Sequence, residues 1–221
     1  FGGTSVGSIS RIKKVAKIIS RYVKSKKKVI VVSSAMSGVT NELISKTMKI
    51  SNNFSPAEYD TIVSSGEQIS CALISGNLNH IGIKSRSWLS WQVPIFTQGN
   101  HKKSRITNIF RSRIINYIKS GGVPIITGFQ GVNSENRLTT LERGGSDSSA
   151  IMVAKYFNAE KCVIYTDVEG VYTTDPKLIK KAKKIKKISY EEMLEMSSLG
   201  AKVMQPASTV SYTHLRAHET P

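Results

Sequence analysis

The chain predicts an α/β domain: a mainly parallel sheet covered by helices on both faces. Three observations lead there. Short, fully apolar runs such as Val29-Ile30-Val31-Val32 and Val163-Ile164-Tyr165 read as buried parallel strands. Segments of helical periodicity alternate with them, and that alternation is what a doubly covered parallel sheet requires. Small, polar and glycine residues follow the runs, at the carboxyl ends where open α/β sheets bind ligands. At 221 residues the chain is long enough for one sizeable core, and no linker, composition break or repeat divides it.

Each element has its own signal. A helix is expected from about 8 to 23, with Ile9, Ile12, Val15, Ala16, Ile19 and Val23 on one face. Strand 28–34 follows, then helices near 38–50 and 56–80. A strand near 84–88 precedes an irregular stretch holding Trp91 and Pro94. A helix near 105–119 is expected to stop at Gly121-Gly122, before strand 123–127. Residues 134–142 suggest a short hairpin. Helix 146–157, strand 161–165 and helices near 189–196 and 198–204 complete the readable part.

Two glycine turns stand out. Arg143-Gly144-Gly145-Ser146-Asp147 tips into a helix, and Phe1-Gly2-Gly3-Thr4-Ser5-Val6-Gly7 precedes another. Glycines let backbone approach a ligand closely, and the free N–H groups and positive end of a helix attract phosphate or carboxylate. A Gly-Gly pair alone is more often a plain capping turn; the company of the strand-end loops is what argues for a site. Neither turn has the Walker A spacing, so a P-loop enzyme is not expected.

Six segments in order resemble the aspartate kinases of the amino-acid kinase family. They are Phe-Gly-Gly-Thr-Ser at 1–5, Ser-Ala-Met-Ser-Gly-Val-Thr-Asn at 34–41 and Ser-Gly-Glu-Gln-Ile-Ser at 65–70. Gly-Phe-Gln-Gly-Val-Asn at 128–133, Arg-Gly-Gly-Ser-Asp at 143–147 and the loop from Thr166 to Pro176 follow. The resemblance implies a three-layer α/β/α sandwich and transfer of the ATP γ-phosphate to the β-carboxylate of L-aspartate. It implies ATP and Mg as cofactors and a homo-oligomer in the full-length protein.

Residue roles follow from the same resemblance. Gly2, Gly3, Thr4 and Ser5 match the loop at the transferring phosphoryl group, and Asp147 matches the aspartate that orients the catalytic cation. Thr40, Glu67, Arg143 and Ser146 match positions that hold the amino-acid substrate; a planar guanidinium suits a carboxylate. Thr166, Asp167, Tyr172, Asp175 and Lys202 match positions near the nucleotide. Phosphoryl transfer needs positioning and charge neutralisation more than covalent help, so this inventory suffices. Read without the family, Glu67 is equally a solvated helix charge, Thr40 a helix cap, Lys202 one more surface lysine and Asp147 a dipole partner.

The chain departs from the family pattern in two places. The family carries a lysine directly before Phe-Gly-Gly, where this chain starts at Phe1, and a glycine where this chain has Glu142. A carboxylate at 142 is expected to repel anionic ligands, its side chain either pointing to solvent or pairing with Arg143, and its Cβ to strain a left-handed turn. After Ser208 the string Val210 to Thr220 reads as one frame of a common transposase sequencing adapter. The expectation is a truncated catalytic domain over 1–208, open at both ends, with 209–221 a read-through, so that His214 and His218 are no metal site.

Composition narrows the classes. Cys71 and Cys162 read as buried apolar residues in a reducing compartment, and no signal peptide or membrane-length apolar stretch appears. A cytoplasmic location with no membrane partner is expected. The net charge of +17 raises a nucleic-acid reading, with lysines at Lys24, Lys26, Lys27 and Lys28 and from Lys177 to Lys187. The patches lack interleaved aromatics and any nucleic-acid motif, so a solvated lysine face is the reading and no nucleic-acid partner is expected. Two alternatives stay open: another amino-acid kinase, acting on acetylglutamate, glutamate or a nucleoside monophosphate, and a non-catalytic basic binding module.

Overall fold

The computed structural model describes residues 1–142, 145–171, 173, 179, 181–183, 185 and 204–213, the backbone alone for 166–171 and 204–213. Helix α1 (Ile9–Lys24) is capped by Ser8, whose hydroxyl accepts the Arg11 N–H at 3.3 Å. It buries Ile12, Val15, Ala16 and Ile19, while Ile9 at the entrance stays exposed. Strand β1 (Val31–Ser33) is shorter than expected. Helix α2 (Val39–Ile50) follows it.

The helix expected over 56–80 is two helices, α3 (Pro56–Val63) and α4 (Ser65–His80). The break has a cause. The Gln130 side-chain amide donates to the Ser64 carbonyl at 2.8 Å, and the Ser64 and Ser65 hydroxyls donate back to the carbonyls of Thr61 and Ile62. Side chains inserted into a helical ladder bend it.

Strand β2 (Ser85–Trp88) matches its expectation. The irregular stretch after it gives way to an unforeseen strand, β3 (Ile95–Gln98). The helix expected over 105–119 is corrected to strand β4 (Arg105–Ile109) followed by helix α5 (Ser112–Lys119). β4 pairs antiparallel with β3, so tertiary pairing overrides the local helical period. Then come β5 (Val123–Thr127), β6 (Gln130–Val132), β7 (Leu138–Thr140) and α6 (Gly145–Tyr156). β6 and β7 form the expected hairpin, begun a few residues earlier.

Strands β1, β5 and β2 form a parallel sheet in the order β1-β5-β2. Alternate side chains enter two cores. Val31, Val123 and Ile125 pack with Ile12, Val15 and Ile19 of α1 and Cys71, Ile74 and Leu78 of α4. Val32 and Ile126 pack on the other face with Ile114 of α5 and Val153 of α6. Helix, sheet and helix make three layers, as the alternation of strands and helices requires. A second sheet runs β4-β3-β6-β7.

Strand β8 (Lys161–Val171) is longer than the expected 161–165 and pairs antiparallel with β9 (Met204–Thr213). Met204, expected to end a helix, begins this strand; the rest of that helix and helix 189–196 lie outside the described residues. Phe1 and Gly2 bridge β1 and β8. The Phe1 amino group donates to the Val32 carbonyl at 2.8 Å, Ser34 N–H to Phe1 O at 3.0 Å, and Gly2 N–H to Tyr165 O at 2.8 Å. The Phe1 ring also stacks on Tyr165, with centroids 4.6 Å apart. No described helix is long and apolar enough to cross a membrane.

Candidate active site

The glycine loop folds back over the end of β1. Within it Ser5 and Val6 N–H groups turn onto the Gly2 carbonyl, and Gly7 N–H onto that of Thr4. Outward, the Ser5 hydroxyl donates to Tyr165 O at 2.9 Å and Ser37 N–H to Gly3 O at 3.2 Å. A Cβ on Gly3 would stand 3.0 Å from the Ala35 carbonyl oxygen, so glycine permits the two loops to meet. Gly2, Gly3, Thr4 and Ser5 thus lie together between β8 and the 34–37 loop.

The same loop leads into α2. Its N-cap is Gly38, at φ 87°, so Thr40 is a residue of the first turn and not the cap that sequence alone allowed. The start of α4 packs against this turn. A Cβ on Gly66 would lie 2.8 Å from Ala35 Cβ and 3.3 Å from Val39 Cγ1, so the glycine brings Glu67 up to the loop.

Glu67 is 3% exposed, which removes the solvated-charge reading. Its Oε1 accepts the Ala35 N–H at 3.0 Å, whereas Oε2 is buried with no hydrogen-bond partner among the described residues. Burial pushes this carboxyl up to about 7, against the Ala35 N–H, which pulls it down. A buried carboxylate with one oxygen unanswered is a receptor for a cationic donor. Ser70, one turn on, donates to the Ser34 carbonyl at 2.6 Å and fixes the loop from the same helix.

The third wall is the start of α6. The Ser149 hydroxyl accepts Phe129 N–H at 3.0 Å and donates to Gly145 O at 2.8 Å, which ties the helix to the β5–β6 turn. Gly128 N–H donates to Ser33 O at 3.0 Å, and a Cβ there would sit 3.1 Å from Ser146 Cβ. Ser146 therefore stands beside the end of β1. Asp147 is half-buried, and crowding by protein raises its carboxyl above the ordinary range. Cys162 is raised to about 11, first by burial and also by Asp147. Phe1, Asp147, Cys162 and Tyr165 line one cavity, which sets Asp147 between the start of the glycine loop and β8.

Three expected groups of residues therefore converge: Gly2 to Ser5, Thr40 with Glu67, and Ser146 with Asp147. Thr166 and Asp167 have their backbone in β8. Arg143, Tyr172, Asp175 and Lys202 lie outside the described residues. Glu142 is exposed, its φ is outside the left-handed region, and its carbonyl accepts Gly145 N–H at 2.9 Å. The left-handed turn expected at 142 is thus absent, and the expected pairing with Arg143 falls outside the described residues.

Among the described residues no cluster of three or more His, Cys, Asp or Glu could hold a metal. The arrangement still fits Mg²⁺, which is usually bound through one or two carboxylates plus substrate phosphates. Asp147 would supply such a carboxylate, in the first turn of α6 and near the glycine loop, which together suit a polyphosphate.

The sequence model of the amino acid kinase family matches residues 1–210. The chain is 50% identical over 209 residues to an aspartokinase of Rickettsia felis, covering 93% of this chain and 52% of the relative. It is 48% identical to an aspartokinase of Geobacillus stearothermophilus, covering 93% and 51%. It therefore spans about half the length of these curated relatives. Among solved structures it matches E. coli aspartokinase III in complex with aspartate and ADP at a TM-score of 0.74 and 26% identity, covering 93% of this chain and 57% of that one. Aspartate kinase from Synechocystis matches at a TM-score of 0.73 and 41% identity, covering 93% and 34%. Matched along nearly its whole length, with the three-layer fold and the converging loops described above, the chain belongs to the amino acid kinase family.

Proposed function

We propose that this chain forms the catalytic domain, over 1–208, of an ATP-dependent aspartate kinase that makes 4-phospho-L-aspartate. The observation that carries the reading is Glu67. Its unanswered, buried Oε2 faces a need for a cation beside the Thr40 turn, and an α-ammonium group supplies one. The names of the relatives and the aspartate and ADP bound by the E. coli neighbour support the same choice.

In this reading an oxygen of the β-carboxylate attacks the γ-phosphorus, the bond to the β–γ bridging oxygen breaks, and ADP leaves. Thr40 and Glu67 hold the acceptor, with Arg143 and Ser146 at its carboxylates. The glycine loop Gly2 to Ser5 and the N-terminus of α6 lie at the transferring phosphoryl group, with the Gly2 and Ser5 N–H groups already bonded within the protein to Tyr165 O and Gly2 O. Thr166, Asp167, Tyr172, Asp175 and Lys202 hold the nucleotide. Mg²⁺, held by Asp147, would neutralise charge on the phosphates. We place the protein in the cytoplasm as a homo-oligomer. We read 209–221 as adapter-derived; the family match ending at residue 210 supports this, and resequencing the gene without transposase adapters tests it.

ADP release by the complete gene product, with a lysine before Phe1, is the test. L-Aspartate should stimulate it well beyond acetylglutamate, glutamate or a nucleoside monophosphate. Equal stimulation by one of those acceptors would replace the substrate. Polyanion binding without acceptor-dependent turnover would favour the basic-module reading.

A further inference from the structure

Asp60, outside every motif noted above, is the most heavily bonded carboxylate among the described residues. It lies in α3 and is completely buried. Its Oδ1 accepts the Thr140 hydroxyl at 2.5 Å, and its Oδ2 accepts or shares a proton with His101 Nδ1 at 2.6 Å. The Lys102 N–H reaches both oxygens, at 3.2 and 3.1 Å. One carboxylate thus joins a helix, a strand and the 99–104 loop.

That loop needs the help. Lys102 sits at φ 70°, a left-handed conformation that a non-glycine residue adopts only when its surroundings enforce it. Its ammonium lies over the Tyr59 ring at 4.3 Å, which fastens the loop to α3 a second time. The loop then grips β7 beyond Thr140: Ser104 N–H donates to Thr140 O at 3.1 Å, and Ser104 bridges Leu141. Arg137 at the other end of β7 pairs with Glu58 of α3 at 2.6 Å.

Thr140 is the last residue of β7, three positions before Arg143, and the next element is the α6 turn with Ser146 and Asp147. We propose that Asp60 is a positioning residue for the acceptor side of the site. Through Thr140 and the 99–104 loop it fixes where Leu141 leaves the sheet; Leu141 packs on Gly145, where a Cβ would stand 2.7 Å from Leu141 Cβ, and so Asp60 sets where Ser146 at the start of α6 meets the substrate carboxylate. It touches no substrate itself. Simple stabilisation of the fold would act on both substrates alike; a clamp on this one exit acts on the acceptor.

This inference rests on the aspartate kinase reading, and the test separates the two. In the complete gene product, Thr140→Val removes the hydroxyl while keeping the β-branched shape, and Thr140→Ser retains the hydroxyl. Thr140→Val should raise the KM for aspartate roughly tenfold, the loss of one hydrogen bond to a charged group, with the KM for ATP within about twofold. Thr140→Ser should restore wild-type values. Asp60→Asn should show the same split, measured at a temperature where circular dichroism matches wild type. Equal changes in both KM values, or no change in Thr140→Val, would overturn the proposal. If the wild type uses another acceptor, the function reading fails, whereas a selective rise in that acceptor's KM would still uphold Asp60.

Discussion

In the proposed function Glu67 has to be buried to reach the acceptor and charged to hold it, and the two requirements oppose each other. Its carboxyl is raised in the folded chain from an ordinary 4.5 to about 7, so the fold holds that proton more tightly than the unfolded chain. Stability from this group is therefore present below pH 4.5 and lost as pH rises to about 7. Against wild type, Glu67→Gln should gain up to about 3 kcal/mol between those pH values, read by denaturant melts at each pH. No pH-dependent difference would mean that Glu67 is already ionised in the fold. Arg143→Lys keeps a charge and loses the planar fork. It should raise the KM for aspartate far more than that for ATP, by about 1–3 kcal/mol in kcat/KM, and equal effects would sink the assignment. Thr40 and Glu67 come forward from the sequence as candidates because they sit in contiguous motifs. Ser70 and Gln130 sit in such motifs too, but their bonds, like those of Asp60, reach partners 36 to 80 positions away, and no local pattern marks such bonds.

Elements with strong local signals came out within a residue or so: α1 from Ser8 and its apolar stripe, α2, β2 and β5. Those set by distant partners did not. The break at Ser64 depends on a side chain from β6, and β4 exists because β3 offers it an edge. Glycines mark where elements of the site approach closely. A Cβ on Gly128 would press on Ser146 Cβ and Val32 Cγ1, both at 3.1 Å, and on the backbone of α6. Gly128→Ala should therefore shift the α6 N-terminus and lower kcat while costing about 1–3 kcal/mol of stability. An unchanged kcat would show that the helix start is not held by this contact. Glu142, exposed on the adjoining segment, should behave oppositely: Glu142→Gly should leave both KM values within about twofold, since solvent screens a surface charge.

At the scale of the molecule, one arrangement explains where the chemistry sits. A parallel sheet between two helical layers ends β1 and β5 on the same side, and the chain's glycine turns, Glu67 and Asp147 all gather at that side. Two apolar residues in succession on β1, Val31 and Val32, serve opposite cores, which is why the strand read as continuously hydrophobic. The net charge of +17 adds a general attraction for anions without choosing one. In the proposed function the acceptor is chosen by the buried carboxylate, the first turn of α2 and Arg143. The most direct measurement is the trapping of the acyl phosphate with hydroxylamine, in the complete gene product supplied with ATP, Mg²⁺ and L-aspartate. Aspartyl hydroxamate should form in step with ADP, and Asp147→Asn should slow both by roughly a hundredfold or more. ADP released without hydroxamate, or hydroxamate formed equally well by Asp147→Asn, would contradict the account.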